Sequence, residues 1–378
     1  MLQTLAAKYE ENLFSSVMPF WMRHSIDRKN GGFFTCLDRR GGIFDPRKYV
    51  WMNGRQVWTL SRLYNEWEKR EEWLDAARSG AEFLRRYAFD EAGRCWFSLT
   101  ADGRPAFYQR KPYAGLFVTL GFHEYGKASG DEWFTARARA LYQDVRLWCQ
   151  DGRLLGRPSV PGAPRLGELA GIYALCAMAL EIGDHKALRE CLDLIHLHYD
   201  SSRQLLLECA PLDEESRQYP EARLICVGSN FEIFWYLMRA IDVCPDEKVE
   251  AMLYKCLEGA LHFAWDKEYG GFYYFQDIEG RPTLQLEASM KLWWVHAEAI
   301  YALITAYTRT RDKKWLAWLE RVDEWVWRRF PDPQHGEWFG YLDRRGDVAL
   351  DLKGGNYKGC FHIPRALLFS LQAIRAAK

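Results

Sequence analysis

The sequence predicts an (α/α)6 barrel, an all-α fold in which about twelve helices form a closed ring of helical hairpins. The first observation is a repeat in which an aspartate opens a short segment of glycines, aromatics and turn residues. The copies lie roughly one helical hairpin apart, which suits two helices and a connecting loop per unit. They begin at Asp27, Asp90, Asp151, Asp200, Asp266 and Asp332.

The loops that carry this repeat are expected to collect at one end of the barrel. The clearest copies, 27–34 and 266–273, both read Asp, three variable residues, Gly-Gly-Phe and an aromatic. The copies at Asp332 and Asp90 are looser, and those at Asp151 and Asp200 are weaker. Segment 271–280 reads as a short β-hairpin that ends in a turn. The sequence therefore predicts short strands around the rim, where a pocket can form.

Apolar stripes between the loops are the second observation. Residues 55–68 place Val57, Leu60, Tyr64 and Trp67 at the spacing of one helical face. Similar stripes indicate helices over 166–182, 231–241, 291–308 and 362–375. These helices are predicted to build the wall of the barrel.

The third observation is the absence of any linker, composition shift or low-complexity tract over the 378 residues. We therefore expect one catalytic domain spanning residues 1–378. With 51 basic and 51 acidic side chains the net charge is zero, which argues against a nucleic acid or a membrane surface as partner. A small, weakly charged ligand is the better expectation.

The sequence also favours a cytoplasmic location. Its start carries acidic residues and lacks the basic region and apolar core of a signal peptide. No apolar run approaches the roughly 20 residues that span a bilayer. The 10 cysteines include no Cys-x-x-Cys pair, which fits free thiols in a reducing compartment.

Aromatic residues make up 15% of the chain and include 17 tryptophans. Aromatic rings cover the apolar faces of sugars, so aromatics beside charged residues indicate a carbohydrate cleft. Most of these rings are expected to pack between helices. The exceptions should be those within polar motifs.

Two of these motifs contain candidate catalytic side chains at the start of a helix. In 48–58, Arg55 follows a glycine at the mouth of an apolar helix, where it could stabilise charge on a substrate oxygen or form a structural ion pair. In 358–365, Gly359 and Pro364 bracket His362 near a helix N-terminus. That position favours the neutral imidazole and suits a general base.

Two further motifs are open to a functional or a structural interpretation. In 290–298, His296 and Glu298 lie two residues apart among tryptophans, without the spacing of a zinc site, so no metal is expected. A buried core histidine is the alternative interpretation. In 223–232, Glu232 begins an apolar helix, where it could complement the helix dipole or bind a sugar hydroxyl.

Taken together, these strings resemble the N-acylglucosamine 2-epimerase (renin-binding protein) family. The resemblance extends from about residue 10 to the end, in the same order and with similar spacing. The strings that carry it are 48–58, 156–164, 270–277, 290–294, 336–342 and 358–365. It implies an (α/α)6 barrel, a cytoplasmic homodimer and interconversion of N-acetylglucosamine and N-acetylmannosamine. It also implies that no cofactor is required and that ATP can act as an allosteric activator.

The resemblance also implies roles for individual residues. His362 matches one of two acid/base histidines, Arg55 matches the arginine that holds the reacting oxygens, and Glu232 matches a motif glutamate. His296 is a further candidate for proton transfer. The expected substrate-binding residues are Tyr49, Trp51, Ser229, Trp294, Glu298 and Trp338.

One departure from the family pattern affects the chemistry. Ser229 occupies the position of the second acid/base histidine, and a serine hydroxyl cannot abstract a carbon-bound proton without another base. Three interpretations follow. In the first, His296 or Glu232 supplies the missing proton, with Ser229 relaying it or holding a water. In the second, the enzyme acts on an unsubstituted hexose such as mannose or glucose, as a 2-epimerase or as an aldose–ketose isomerase in which a single base moves a proton from C2 to C1. In the third, the site binds sugar without turnover.

Overall fold

The computed structural model describes residues 1–158, 160–163 and 165–377. Ser159 and Pro164, which belong to one of the family strings, and Lys378, the last residue of the expected domain, lie outside the described residues. The helices are α1 Leu2–Asn12, α2 Met18–His24, α3 Val50–Glu66, α4 Glu71–Tyr87, α5 Tyr113–Ser129, α6 Glu132–Gln150, α7 Leu169–Ile182, α8 His185–Leu194, α9 Val227–Val243, α10 Glu247–Ala264, α11 Trp293–Thr310, α12 Lys313–Arg329 and α13 His362–Ala376.

These helices form the predicted (α/α)6 barrel. The inner ring is α3, α5, α7, α9, α11 and α13, each packed against the next, and α13 closes the ring against α3. Outer helices α4, α6, α8, α10 and α12 each pack against the inner helix that precedes them, and α1 packs against α13. The five predicted helical segments all correspond to inner helices, because these are apolar on the face toward the outer helices as well as toward the ring.

Five of the repeated aspartates follow an outer helix and Asp27 follows α2, and after each of them the chain turns back toward the next inner helix. Each carboxylate accepts a hydrogen bond from the backbone N–H two residues further on, which closes an Asx turn. The donors are Lys29, Ala92, Arg153, Ser202, Glu268 and Gln334. The repeat in the sequence is therefore a repeated loop structure at one end of the barrel.

Buried lysines reinforce three of these turns. Lys48 Nζ lies 2.7 Å from Asp27, and Lys291 and Lys353 lie 3.1 Å from Asp266 and Asp332, respectively. Burial alone would raise the pKa of Asp266, but hydrogen bonds from Arg344, the Glu268 N–H and Lys291 outweigh it and hold the pKa well below its usual range. These ion pairs fix the loops that surround the inner-helix N-termini.

Short antiparallel strands connect neighbouring loops. They are β1 Cys36–Leu37, β2 Ile43–Asp45, β3 Lys48–Tyr49, β4 Ser98–Leu99, β5 Pro105–Phe107, β6 Leu166–Glu168, β7 Tyr199–Asp200, β8 Leu205–Leu206, β9 Cys209–Pro211, β10 Leu224–Cys226, β11 Phe275–Asp277, β12 Lys291–Leu292, β13 Tyr341–Leu342 and β14 Val348–Leu350. Four strands that directly precede inner helices pair with a strand of the following loop, in β3–β4, β6–β9, β10–β11 and β12–β13.

One loop differs from its prediction. The segment 271–280 does not form a hairpin with itself, because β11 pairs with β10 from the preceding loop. The pairing partner of this segment is distant in sequence, so residues 271–280 alone do not reveal it. Among the described residues, no helix has the length and apolar character needed to cross a bilayer.

Helices α3 and α5 approach each other closely at a pair of glycines. A Cβ added at Gly54 would lie 2.5 Å from the Phe117 carbonyl oxygen, and one at Gly121 would lie 2.7 Å from the Gly54 carbonyl oxygen. Contacts this short with backbone atoms cannot be relieved by a rotamer change. Any side chain at these positions must push the helices apart.

We expect Gly54→Ala to lower the free energy of unfolding by about 1–3 kcal/mol, because the added methyl group overlaps the α5 backbone. The matched control is Gly171→Ala in α7, where an added Cβ has no neighbour within 4 Å. That change should be neutral or raise stability by about 0.4–1 kcal/mol. Denaturant unfolding of both variants measures the difference, and equal effects would contradict the packing described for α3 and α5.

Candidate active site

A cleft opens at the end of the barrel where the inner helices begin. Its larger part has a volume of about 550 Å³ and a smaller part about 160 Å³. The two parts share Trp51, Arg55, Tyr173 and Glu232. Every inner helix contributes residues from its first turns, so the closed ring places them around one space. The larger part also contains Trp293, Trp294 and His362, and the smaller contains Tyr113, Phe117 and Ser229.

The side chain of Glu298 connects three inner helices beneath this cleft. Its Oε1 accepts hydrogen bonds from His362 Nδ1 at 2.8 Å and from Arg365 Nη2 at 2.6 Å. Its Oε2 accepts one from Trp235 Nε1 at 2.8 Å. Both oxygens are thus engaged and the residue is fully buried. Glu298, on α11, therefore fixes side chains of α9 and α13.

His362 is held with one ring nitrogen available to the cleft. Because Nδ1 donates to Glu298, we assign the neutral tautomer with its proton on Nδ1 and a lone pair on Nε2. Burial lowers the pKa of His362 well below its usual range, and the guanidinium groups of Arg55 and Arg365 lower it further. The imidazole is therefore neutral near pH 7 and can accept a proton at Nε2.

Arg55 is buried beside the cleft and forms no salt bridge with an acidic residue in the described part of the chain. It is only 7% exposed, and its Nε has no hydrogen-bond partner among the described residues. Its guanidinium packs against the rings of Phe117, Trp51 and Phe361 at 4.0, 4.6 and 4.8 Å from their centroids. Burial lowers the pKa of Arg55 to about 10, which leaves it charged at neutral pH. A buried, unpaired cation is a suitable binding site for an oxygen that develops negative charge.

Glu232 lies between the two parts of the cleft and is paired with Arg365. Arg365 Nη2 donates to Glu232 Oε1 at 2.5 Å, and Nη1 donates to Tyr236 at 3.0 Å. Burial raises the pKa of Glu232, although Arg365 favours its charged form. With Glu298, the site thus holds two carboxylates and the two guanidinium groups of Arg55 and Arg365. These charges balance without a charge on His362.

Several polar atoms of the cleft have no hydrogen-bond partner in the described part of the chain. A buried polar atom without a partner costs about 1–3 kcal/mol, so such atoms indicate where a ligand binds. They are Trp51 Nε1, Arg55 Nε, Tyr173 Oη and Trp293 Nε1. Donors beside aromatic rings are the combination that a sugar requires.

The structure does not place His296 in the cleft. Its Nδ1 lies 2.7 Å from the Leu292 carbonyl oxygen, its Nε2 accepts the Phe272 N–H at 3.0 Å, and its ring stacks on Trp325 of α12. Both nitrogens are thus used by the backbone in the fully buried side chain. We correct the prediction of proton transfer, because this is the buried core histidine of the alternative interpretation.

Three expected substrate-binding residues also lie outside the cleft. Tyr49 donates its hydroxyl to Asp45 at 3.0 Å, and Trp338 donates Nε1 to Asn12 at 2.9 Å within the core. Glu298 lies beneath the cleft with both oxygens occupied. We correct these assignments, because none of the three side chains has a polar group directed at the cavity. By contrast, Trp51, Ser229 and Trp294 line it, as do Arg55, Glu232 and His362.

A metal ion has little room in this cluster. Glu232, Glu298 and His362 offer ligand atoms within 4.8 Å of one another. Arg365 Nη2, however, already lies between the two carboxylates and donates to both. The guanidinium supplies the positive charge that a cation would bring.

Sequence reasoning missed three residues of the site. Arg365 lies one helical turn after His362 in a motif that was recognised, so a signal was available. Tyr173 lies inside an apolar helical stripe, where nothing distinguishes it from a core residue. Glu208 lies between β8 and β9 in no recognised motif, and only the fold brings it to Ser229.

The geometry defines a ring of inner helices around an acid–base cleft suited to a sugar, and comparisons with known proteins agree. The family described as N-acylglucosamine 2-epimerase (GlcNAc 2-epimerase) matches residues 32–153 and 194–366. The N-acylglucosamine 2-epimerase of Bos taurus is 41% identical, with 93% of this chain and 87% of the relative covered.

Solved structures show the same fold at lower identity. The cellobiose 2-epimerase of Bacillus thermoamylovorans superposes with a TM-score of 0.82 at 20% identity, over 98% of this chain and 99% of that one. A D-mannose isomerase also gives a TM-score of 0.82, at 18% identity and 97% coverage of both chains. The chain belongs to the N-acylglucosamine 2-epimerase family.

We expect Glu298→Gln to lower kcat by about 10–100-fold, because the amide no longer fixes both the His362 tautomer and Arg365. The matched control is Asp323→Asn, which removes a buried carboxylate bonded to Tyr9 far from the cleft. Both variants should lose stability, but only Glu298→Gln should lose turnover. Equal kcat values in the two variants would contradict the positioning role of Glu298.

Proposed function

We propose that this protein is a sugar 2-epimerase that interconverts N-acetylglucosamine and N-acetylmannosamine. Family membership supports the reaction class. The observation that carries the proposal is the unpaired Arg55 guanidinium, buried against the same cleft as the neutral His362. A cation without a protein partner beside a free base is the arrangement that enolate chemistry requires.

In this proposal, the reaction begins from the ring-opened sugar. The proton on C2 lies next to the C1 aldehyde, so its removal gives an enolate with charge on the C1 oxygen. His362 Nε2 takes that proton, and Arg55 stabilises the developing oxyanion. Reprotonation of C2 on the opposite face gives the other epimer. Positioned acid–base catalysis of this kind contributes roughly 10²–10⁴-fold in rate.

Glu298 and Arg365 act through their neighbours. Glu298 keeps the His362 proton on Nδ1 and stabilises the imidazolium that forms when Nε2 accepts the substrate proton. Arg365 pairs with both Glu298 and Glu232, and together with Arg55 it balances their two negative charges, which reduces their repulsion of the enolate. The unpartnered Trp51 and Trp293 N–H groups are available to sugar hydroxyls.

Further properties of the family extend the proposal. We propose a single catalytic domain, a cytoplasmic homodimer, and ATP as an activator that is not consumed. These points rest on the family resemblance of the sequence alone. Size-exclusion chromatography with light scattering, with and without ATP, tests the assembly.

The reaction is tested by proton NMR of the purified protein with N-acetylmannosamine in D₂O, with and without ATP. We expect the C2 proton signal to disappear and N-acetylglucosamine to form. His362→Ala should abolish conversion in both directions, because the base is lost. Exchange on unsubstituted mannose with formation of a ketose would instead establish an aldose–ketose isomerase. If none of these sugars exchanged its C2 proton, the proposed class of reaction would be contradicted.

Arg55→Met is expected to lower kcat/KM by about 10²–10³-fold with only a small loss of stability, because no carboxylate among the described residues is hydrogen-bonded to the guanidinium. The control is Arg62→Met. Arg62 is also buried, but it pairs with Glu66, Glu124 and Glu181 at the opposite end of α3. Its loss should cost about 3–5 kcal/mol of stability because three carboxylates are left without their partner. Thermal unfolding and initial rates separate the two effects, and a large stability loss in Arg55→Met would contradict its assignment.

A further inference from the structure

An epimerase needs a second proton-transfer group on the face of C2 opposite to His362. Two groups that each reach C2 at about 3 Å from opposite sides lie about 6 Å apart. Glu232 is a poor candidate, because its carboxylate already belongs to a buried cluster with Glu298 and His362, whose ligand atoms lie within 4.8 Å of one another. It is also held by Arg365 at 2.5 Å. The second group must therefore come from another wall of the cleft.

Ser229 lies on such a wall. It lines the smaller part of the cleft with Tyr113 and Phe117, whereas His362 lines the larger part. Arg55 lines both parts and can therefore contact a substrate that extends from one part into the other. A substrate oxygen held by Arg55 would place C2 between Ser229 and His362.

The main chain of Glu208 is fixed near the N-termini of α7 and α9, and Ser229 lies in the first turn of α9. The Glu208 N–H donates to the Leu224 carbonyl oxygen at 3.0 Å, and its carbonyl oxygen accepts the Leu169 N–H at 2.9 Å. These bonds hold it between the strands that precede α7 and α9. The Ser229 hydroxyl lies beside the Glu208 carboxyl group and stabilises its charged form. Glu208 Oε2 is buried and has no hydrogen-bond partner among the residues described.

We propose that Glu208, acting through Ser229, replaces the second histidine of the family as the opposite-face proton source and acceptor. The inference rests on the proposed function. When the enolate is reprotonated, Ser229 Oγ gives its proton to C2 and receives one from the Glu208 carboxyl group. A carboxylate then carries the charge that the enolate has lost. In the reverse direction each proton moves back, and His362 Nε2 supplies the proton to the other face.

The surroundings of Glu208 suit a group that exchanges a proton near neutral pH. Burial raises the pKa of Glu208 to about 7, the Ser229 hydroxyl opposes this rise, and the carboxylates of Glu168 and Glu232 add to it. The other titratable groups that face it among the described residues are also acidic, and none of these is a cation that would hold it charged. They are Tyr113, Cys209, Cys226 and Tyr274.

The sign of the pH dependence follows from the two groups. Turnover requires that one of the two groups carries the transferable proton while the other is free to accept one. The productive form of the enzyme therefore has a neutral His362 and a protonated Glu208. That form is lost as the pH rises through about 7, where Glu208 ionises. On the acid side it is lost only when His362 becomes protonated, which happens below the usual pKa of histidine. We therefore expect kcat/KM to fall with a single proton dependence above about pH 7.

The test is Glu208→Gln, with each epimer incubated separately in D₂O and followed by proton NMR. Epimerisation should fall by at least about 10²-fold. One epimer should still exchange its C2 proton, within about 10-fold of the wild-type rate, because His362 acts on that face. The other epimer should not exchange. His362→Ala should show the reciprocal pattern, with exchange only of the other epimer through Ser229 and Glu208.

Ser229→Ala provides a second variant with the same expected one-sided exchange, in case Glu208→Gln does not fold. Glu168→Gln is the matched control, because it removes a neighbouring carboxylate that is exposed. It should keep exchange and conversion of both epimers. Equal loss of exchange for both epimers, or full epimerisation, in folded Glu208→Gln or Ser229→Ala would overturn the inference. No exchange by the wild-type protein would instead contradict the proposed function itself.

Discussion

The arrangement of the site depends on one buried carboxylate, that of Glu298. It accepts hydrogen bonds from Trp235 of α9 and from His362 and Arg365 of α13, while its own backbone belongs to α11. A buried charge is tolerated only when its partners are in place, so these three helices must be in register for the carboxylate to be satisfied. The same contacts fix the tautomer of His362. The contacts that hold α9, α11 and α13 together are therefore the same contacts that orient His362 as a base.

The fold could be predicted from sequence because its signals are local and repeated. Each aspartate of the repeat acts within its own loop, by accepting a backbone N–H two residues away. The inner helices have continuous apolar patterns since they are covered on both sides. The pairing of β11 with β10 could not be predicted, because it joins loops that are far apart in sequence and depends on ring closure.

The site was predictable only where a functional residue lies within a distinctive motif. Arg55, Glu232 and His362, which lie within such motifs, line the cleft. His296 and Trp338 lie in equally distinctive strings, but their polar atoms are used by Leu292, Phe272 and Asn12. Local sequence cannot show which face of a helix points inward when both faces are buried. Glu208 gives no local signal, since its proximity to Ser229 arises from the packing of distant loops.

The central claim is that Glu298 holds His362 as a neutral imidazole with Nε2 free toward the cleft. It is tested most directly by ¹⁵N NMR of the histidine ring nitrogens over the range of about pH 5 to 8, with His362→Ala used to assign the signals. We predict a proton on Nδ1, an unprotonated Nε2, and no titration above the usual histidine pKa near 6.5. A His362 ring that titrates above that value, or that carries its proton on Nε2, would contradict the account.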